Sequence, residues 1–433
     1  MRMVDIIEKK RDGETLTSEE IEYVIQNYTS DEIPDYQMSA LLMAIYYNGM
    51  SKEECIKLTE EILNSGKTID LSKIKGIRVD KHSTGGVGDK VTLVLGPLVA
   101  STGLSFTKMS GRGLGYTGGT IDKLESIDGF KTNISLENFY KQVNDIKIAI
   151  IGQTEDLAPA DKKIYALRDV TGTVDSIPLI ASSIMAKKLA GGADKIVLDV
   201  KVGHGAFMKN KIDATILANT MVEIGKNLGK ETVAYITDMN EPLGYAVGNI
   251  LEVKEAIDIL KGKGPKDVLE VSLALASEML VLGKIAPNQK EARKILKEKL
   301  ESEEAFKKFR EFVKYQGGNV KWIDNPDLIP KAKRIIPVYL NQEGYVASLN
   351  ALNIGKAARI LGAGRNKKED DIDPLVGVVL NCKVGDRVTK DTPVAYLHVN
   401  DIKCEEALKL VTYAYKITRK RAKPLKIIHG VVR

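Results

Sequence analysis

Two glycine-dense segments carry the residue types that hold an anion. The first is Lys81-His82-Ser83-Thr84-Gly85-Gly86-Val87-Gly88-Asp89. Glycines let consecutive backbone N–H groups turn toward one point, while the hydroxyls and the lysine add donors and a positive charge. The second runs Lys108-Met109-Ser110-Gly111-Arg112-Gly113-Leu114-Gly115-Tyr116-Thr117-Gly118-Gly119-Thr120-Ile121-Asp122. One such loop is explained equally well by tight packing. Two so close together, each with lysine and Ser/Thr, point to an anion such as phosphate. Neither is a Walker A loop, because the Gly66-Lys67-Thr68 triplet has Glu61 where the leading glycine belongs. A third group, Arg168 with Ser183 and Lys187, is less specific. Ser183 and Lys187 share a helix face, but spacing alone also fits a lysine snorkelling from a solvated edge.

These groups need elements to hold them. Thr17-Ser18-Glu19-Glu20 and Ser51-Lys52-Glu53-Glu54 are capping boxes ahead of apolar helical patterns. With Met38, Leu41, Leu42 and Ile45 between them, they predict three short amphipathic helices before residue 65. Near Gly66 the pattern changes. Short β-branched runs at Ile77–Val79, Ile146–Ile151, Lys195–Val202 and Val233–Ile236 alternate with helical patterns near 213–228 and 266–283. That alternation predicts an α/β domain. One helix sits oddly among the strands, starting at Asp175-Ser176-Ile177-Pro178 and stopping at Gly191-Gly192. Beyond about residue 330, Val346, Val376–Val379, Val384–Val388 and Val394–Leu397 predict short strands in a small β-rich module. A structural role is expected for it, since the turn reads Asn381-Cys382-Lys383 and lacks the Met-Lys attachment pair of biotin carriers.

Composition narrows the function classes. The chain has 433 residues, with 64 Lys+Arg against 58 Asp+Glu, a net charge of +6. That mild bias suits an anionic small molecule. One Trp and 6% aromatics are thin for base-stacking on nucleic acid, and no nucleic-acid partner is expected. Three scattered cysteines and four histidines form neither a disulfide framework nor a zinc site. No run of about 18 apolar residues exists and the first ten residues do not read as a signal peptide. The expected compartment is the cytoplasm.

The stretch Ser110-Gly111-Arg112-Gly113-Leu114-Gly115-Tyr116-Thr117-Gly118-Gly119-Thr120-Ile121-Asp122-Lys123-Leu124-Glu125 resembles the signature of the thymidine/pyrimidine-nucleoside phosphorylase family. So do Lys81–Asp89, Ala158-Pro159-Ala160-Asp161, Tyr165–Thr171, Ser182-Ser183-Ile184-Met185 and Asp199-Val200-Lys201, so that the resemblance spans essentially the whole chain. It implies an α/β fold of nucleoside phosphorylase/phosphoribosyltransferase type. A small helical domain (1–65 and 162–190) binds the pyrimidine and dimerises. A larger α/β domain (66–161 and 191–330) binds phosphate, and a C-terminal α+β module covers 331–433. The implied reaction is reversible phosphorolysis of pyrimidine nucleosides to base and α-pentose 1-phosphate, with phosphate as co-substrate, no organic cofactor, and a homodimer as the working unit. By the same resemblance Lys81, Ser83, Thr92, Lys108, Ser110 and Thr120 hold phosphate. Arg168, Ser183 and Lys187 hold the pyrimidine, Arg168 and Lys187 offset charge on the leaving base, and His82 between the groups is a candidate proton donor. Domain closure follows, with hinges near Gly66, Gly152–Pro159 and Gly191-Gly192.

Lys108 resembles the branch that accepts uridine as well as thymidine; the thymidine-selective branch has an apolar residue there. The broad branch also carries a potassium site, and its positions match at Gly88, Leu243, Ala246 and Glu255. The remaining ligand is usually a threonine, whereas this chain has Lys90, whose ammonium only donates. Two readings stand: the ammonium replaces the ion, or Lys90 swings out and potassium binds through backbone oxygens. A thymidine-selective enzyme and, more remotely, an anthranilate-type phosphoribosyltransferase are the alternatives. The latter needs magnesium-binding acids, for which Glu369-Asp370-Asp371-Asp373 is the available cluster.

Overall fold

The computed structural model describes every residue except 114, 115, 117, 154, 155, 366, 368, 369 and 401–403. Part of the second glycine loop (Leu114, Gly115, Thr117) and Glu369 of the acidic cluster therefore lie outside the described residues. The chain opens with helices α1 (Met3–Arg11), α2 (Ser18–Thr29), α3 (Asp35–Asn48) and α4 (Lys52–Asn64). Thr17 with Glu20 and Ser51 with Glu54 form complete capping boxes, satisfying N–H groups that a helix start leaves orphaned. The sequence reading has three helices here, and α1 is the one it lacks. Charges crowd α1, and tertiary contacts hold it: Met3 and Ile6 are buried, and Lys10 Nζ donates to Glu54 Oε1 at 2.9 Å inside the bundle.

The chain continues through β1 (Arg78–Ser83), α5 (Val91–Ala100), β2 (Ser105–Ser110), α6 (Thr120–Glu125), α7 (Leu136–Ile146), β3 (Ile148–Gly152), α8 (Pro159–Thr171), α9 (Ile177–Ala190), β4 (Lys195–Val202), α10 (Lys211–Asn227) and β5 (Glu231–Asp238). Strands β1–β5 lie parallel in the order β5-β4-β1-β2-β3. The expected strand at 146–151 starts later because α7 runs through Ile146 and Lys147 caps it in the left-handed region, φ 67°. The winding direction reverses at β1. From there the chain moves outward through β2 and β3, then crosses back to place β4 on the other side. In open α/β sheets the ligand crevice lies at such a reversal, outside the carboxyl ends of the strands.

The crossover from β3 to β4 contains the odd helix. Ala158, Ala160 and Ile164 with Leu179 and Ala186 join the apolar core of α1–α4. On its other side α9 buries Ile180, Ile184, Met185 and Leu189 against α10 and the sheet. A helix buried between two layers has no single polar face, which is why α9 lacks a clean amphipathic pattern. Helix α5, which follows the first glycine loop, is buried along its entire length.

The remaining elements are β6 (Ala246–Val247), α11 (Asn249–Leu260), α12 (Lys266–Leu282), α13 (Gln289–Glu301), α14 (Glu304–Tyr315), α15 (Val320–Asp324), β7 (Arg334–Val338), β8 (Gly344–Leu349), α16 (Ala351–Ala358), β9 (Gly377–Leu380), β10 (Arg387–Val388), β11 (Ala395–Val399), α17 (Glu405–Ala414), β12 (Tyr415–Thr418) and β13 (Ile428–Val432). Two small antiparallel sheets, β6-β9-β11-β7 and β10-β8-β12, build the C-terminal module. The 331–433 boundary is crossed in both directions. Strand β6 is lent to the module, and β13 leaves it to pair antiparallel with β5. Without β13, β5 would expose an edge of unpaired backbone groups.

Candidate functional site

The first glycine loop joins the end of β1 to the start of α5, at the sheet's reversal. Strand alternation sends Lys81 and Ser83 to one face of β1, and Asp80 and His82 to the other. Ser83 lies opposite Asp199 of β4. Lys81 is buried, with Nζ 3.5 Å from Asp199 and 3.8 Å from Asp89. Its ammonium makes no hydrogen bond to any described residue. Asp199 is instead held by Lys201 Nζ at 2.7 Å and by the Thr237 hydroxyl at 2.6 Å. Burial alone would raise the Asp89 carboxyl; Lys81, Lys201 and Lys123 outweigh it and hold it well below the usual carboxylate range. Thr92 lies in the first turn of α5, buried. The helix N-terminus adds its partial positive charge to the same place.

Lys108 and Ser110 come from β2 and Thr120 opens α6. Lys108 is buried. It donates to the Lys81 carbonyl at 2.5 Å and stands 3.7 Å from Asp80. Burial first, then Lys188 and Lys81, push its ammonium down to about 7 against the pull of Asp80. The described part of the second glycine loop is braced from behind. The Asp122 carboxylate accepts from Gly113 N at 2.7 Å, and from Arg112 at 3.3 Å and Arg365 at 2.9 Å. Arg365 belongs to the C-terminal module, so the module reaches the second glycine loop.

The opposing wall is α8 and α9. Lys187 Nζ pairs with Asp161 at 2.8 Å and with Ser183 Oγ at 3.2 Å, and stays half-exposed. Arg168 is 1% exposed and donates to the carbonyls of Thr173, Val174 and Leu179. Three of its five N–H groups thus hold the α8–α9 turn, leaving two for a ligand. Lys188, next in sequence to Lys187, points the other way. Its ammonium reaches Asp80 at 2.6 Å and the Met109 carbonyl at 3.0 Å, fastening α9 to β1 and β2. His82 stands between the walls. Desolvation, and then Lys188, Lys108, Lys187 and Lys81, hold its imidazole well below the ordinary value, so it is neutral at pH 7.

The positions named for potassium converge on Lys90. Its Nζ donates to Leu243 O at 2.7 Å, Ala246 O at 2.9 Å and Glu255 Oε2 at 2.5 Å, while the Gly88 carbonyl accepts from the Lys90 N–H at 2.9 Å. The acidic cluster lies in the C-terminal module. There the Asp370 carboxylate accepts from Lys367 N, and Asp373 accepts from Leu375 N and Asn400. These are turn-bracing bonds.

Sequence reasoning missed Asp80, Asp161, Lys188, Asp199, Lys201 and Arg365 as positioning groups. For Asp199 and Lys201 a signal existed: an acid and a base two apart in a strand share a face. For Asp80 and Lys188 there was none, because their partnership spans 108 positions.

The parts define an α/β transferase whose sheet carries buried lysines and acids at the carboxyl ends of its strands, with polar side chains of α8 and α9 beside them. Residues 4–66 match the glycosyl transferase family helical bundle domain and 75–306 its α/β domain. Residues 345–418 match the pyrimidine nucleoside phosphorylase C-terminal domain. The chain belongs to the pyrimidine-nucleoside phosphorylase family. It is 55% identical over 432 residues, the full length of both chains, to the pyrimidine-nucleoside phosphorylase of Staphylococcus haemolyticus, and 54% identical over the same span to that of Staphylococcus aureus strain N315. The crystal structure of anthranilate phosphoribosyltransferase from Thermus thermophilus has the same fold. The TM-score is 0.57 at 17% identity, covering 72% of this chain and 98% of that one.

Proposed function

We propose that the chain catalyses reversible phosphorolysis of pyrimidine nucleosides (uridine, thymidine and deoxyuridine) to the free base and α-(deoxy)ribose 1-phosphate, as a step of pyrimidine salvage in the cytoplasm. One observation carries the reading: Lys188 fastens α9 to β1 and β2, reaching Asp80 at 2.6 Å and the Met109 carbonyl at 3.0 Å, so the helix that carries Ser183 and Lys187 is held beside the strands that carry Lys81 and Lys108. Lys81, Ser83, Thr92, Lys108, Ser110 and Thr120 take phosphate. Arg168, Ser183 and Lys187 take the base edge. A phosphate oxygen forms a bond to C1′ as the C1′–N1 bond breaks, and the bonding pair leaves with the base. Lys187 and Arg168 offset that charge, the kind of fixed electrostatic help that is worth most in a dry site. Neutral His82 shares its N–H with the base O2; it is not an imidazolium acid. The base gains its proton from solvent after departure.

Closure of the two walls is part of this reading. Three linkers run side by side at the domain border. Lys67 N donates to Asp156 O at 3.0 Å, and Ile69 N to Ala190 O at 2.8 Å. A Cβ on Gly66 would meet Asp156 O at 2.4 Å, and one on Gly192 would meet Ile69 O at 2.2 Å. Small-angle scattering with phosphate plus a nucleoside analogue is expected to show compaction; none would remove closure from the mechanism. A homodimer through the helical domain fits the exposed Val4 of α1 and Tyr36, Met43, Tyr46 and Tyr47 of α3, which form an apolar strip suited to a second copy. Sedimentation at twice the chain mass is the expected result.

The decisive assay is base release from uridine and thymidine side by side, with and without phosphate, in EDTA. Phosphate-dependent release from both is expected. Release from thymidine alone would assign the deoxy-selective branch and discard the argument from Lys108, whose ammonium gives a ribose 2′-hydroxyl a partner. A Lys108→Met variant that still handles both nucleosides equally would discard that argument too. Release from neither would refute the reading.

A further inference from the structure

We propose that Lys90 is a built-in monovalent cation: its ammonium fills the seat that the family resemblance assigns to potassium, and the enzyme works and folds without that ion. The fit test is geometric. Leu243 O, Ala246 O and Glu255 Oε2 all lie within 2.9 Å of Nζ. An ion bound to the same three oxygens would coincide with the ammonium. Lys90 is fully buried, and its three N–H groups meet three acceptors, leaving none unmade. Glu255 is fixed in turn by the Tyr245 and Ala246 N–H groups, Oε1 at 2.9 and 3.2 Å. The surroundings are equally close: a Cβ on Gly244 would lie 2.7 Å from Nζ and 2.2 Å from Glu255 Oε2.

The exchange has a mechanical meaning. Lys90 is the last residue of the phosphate loop and the N-cap of α5. Its ammonium ties that loop to the turn before β6 and to Glu255 of α11, and β6 pairs with the C-terminal module. A free ion must be captured from solution for each such tie. A tethered ammonium is present at high effective concentration whatever the salt. If the side chain is shortened, the seat has a route to solvent, since Leu243, Tyr245, Glu255 and Asp258, with Lys263 and Lys383, line a crevice of mixed charge open to water.

The inference is independent of which nucleoside reacts, and its readouts are unfolding temperature and phosphate binding. Full-length wild type and variants are compared in potassium, sodium and choline chloride at one ionic strength. Wild type is expected to give the same unfolding temperature and the same phosphate affinity in all three. Lys90→Thr is expected to melt several degrees lower in choline, because Glu255 loses its partner, and to regain the loss saturably with potassium. Lys90→Met is expected to melt lower and not to respond, because its side chain still fills the seat. A saturable potassium effect on wild type would overturn the proposal, showing that Lys90 swings out and an ion enters. So would a folded Lys90→Thr that ignores potassium. Should that variant not fold, wild-type crystals soaked in thallium decide: an anomalous peak among Leu243, Ala246 and Glu255 overturns the proposal, and a clean seat supports it.

Discussion

Lys81 and Lys90 stand at the two ends of one loop, both buried, and differ in what surrounds the ammonium. Lys90 has three acceptors within 2.9 Å and no donor left over. Lys81 has carboxylates at 3.5 and 3.8 Å and no hydrogen bond among the described residues. A buried ammonium is costly unless its donors are met, so an unmet one is kept in place by its surroundings. Around Lys81 those surroundings are Asp199 and Asp89, themselves held by other lysines. The same residue type, nine positions apart, is a structural tie at one end and an ammonium without a hydrogen bond among the described residues at the other, the seat proposed for phosphate. Acceptor count makes the difference.

The largest expected effect separates the network from the seat inside it. Asp199→Asn leaves Lys201 without its partner at full burial. Breaking such a pair costs about 3–5 kcal/mol, to be read from the denaturant midpoint. Lys81→Ala is expected to leave that midpoint nearly unchanged and to lower kcat/KM by roughly 10²–10³-fold, the range for removing one fixed transition-state donor. Equal destabilisation by the two changes would erase the contrast.

A smaller effect concerns Lys108, the other buried lysine of the cradle. In the proposed reaction its protonated form takes phosphate, and burial brings its ammonium down to about 7. The KM for phosphate should therefore rise above pH 7. A Lys108→Met variant, following only the ionisation of phosphate itself, supplies the baseline. The stability sign is opposite. From about pH 7 up to the ordinary lysine value, the unfolded chain holds a proton that the folded chain has released. Stability relative to Lys108→Met therefore rises with pH across that window. A flat difference would mean that Asp80 keeps the group charged.

The smallest effect tests the far support of the cradle. Arg365→Ala removes one of the partners of Asp122 and leaves Arg112 and Gly113 N in place. A rise of roughly three- to tenfold in KM for phosphate is expected, with kcat little changed, as for the net worth of one ordinary hydrogen bond. A loss in kcat instead would make the C-terminal module part of the chemistry.

Local grammar determined much of this protein. The capping boxes at Thr17 and Ser51, strand Lys195–Val202 and the end of α9 at Gly191 all stand where residue order put them. Each depends on neighbours within a few positions. The family motifs likewise marked the chain as a pyrimidine-nucleoside phosphorylase, as its relatives show. Tertiary structure decided what long-range partners decide. It placed α1 through Lys10 and Glu54, returned β13 to the main sheet, and set Arg168 against two carbonyls of the α8–α9 turn and one of α9. It also separated Lys187, which pairs with Asp161 of α8, from Lys188, which locks the helix to Asp80. Above all it settled the two lysines of one loop. No rule of spacing distinguishes Lys81 from Lys90, because the oxygens that satisfy Lys90 come from 153 to 165 positions away. Residue types supplied the charges. Only the fold brought the acceptors that hold one of them and leave the other open.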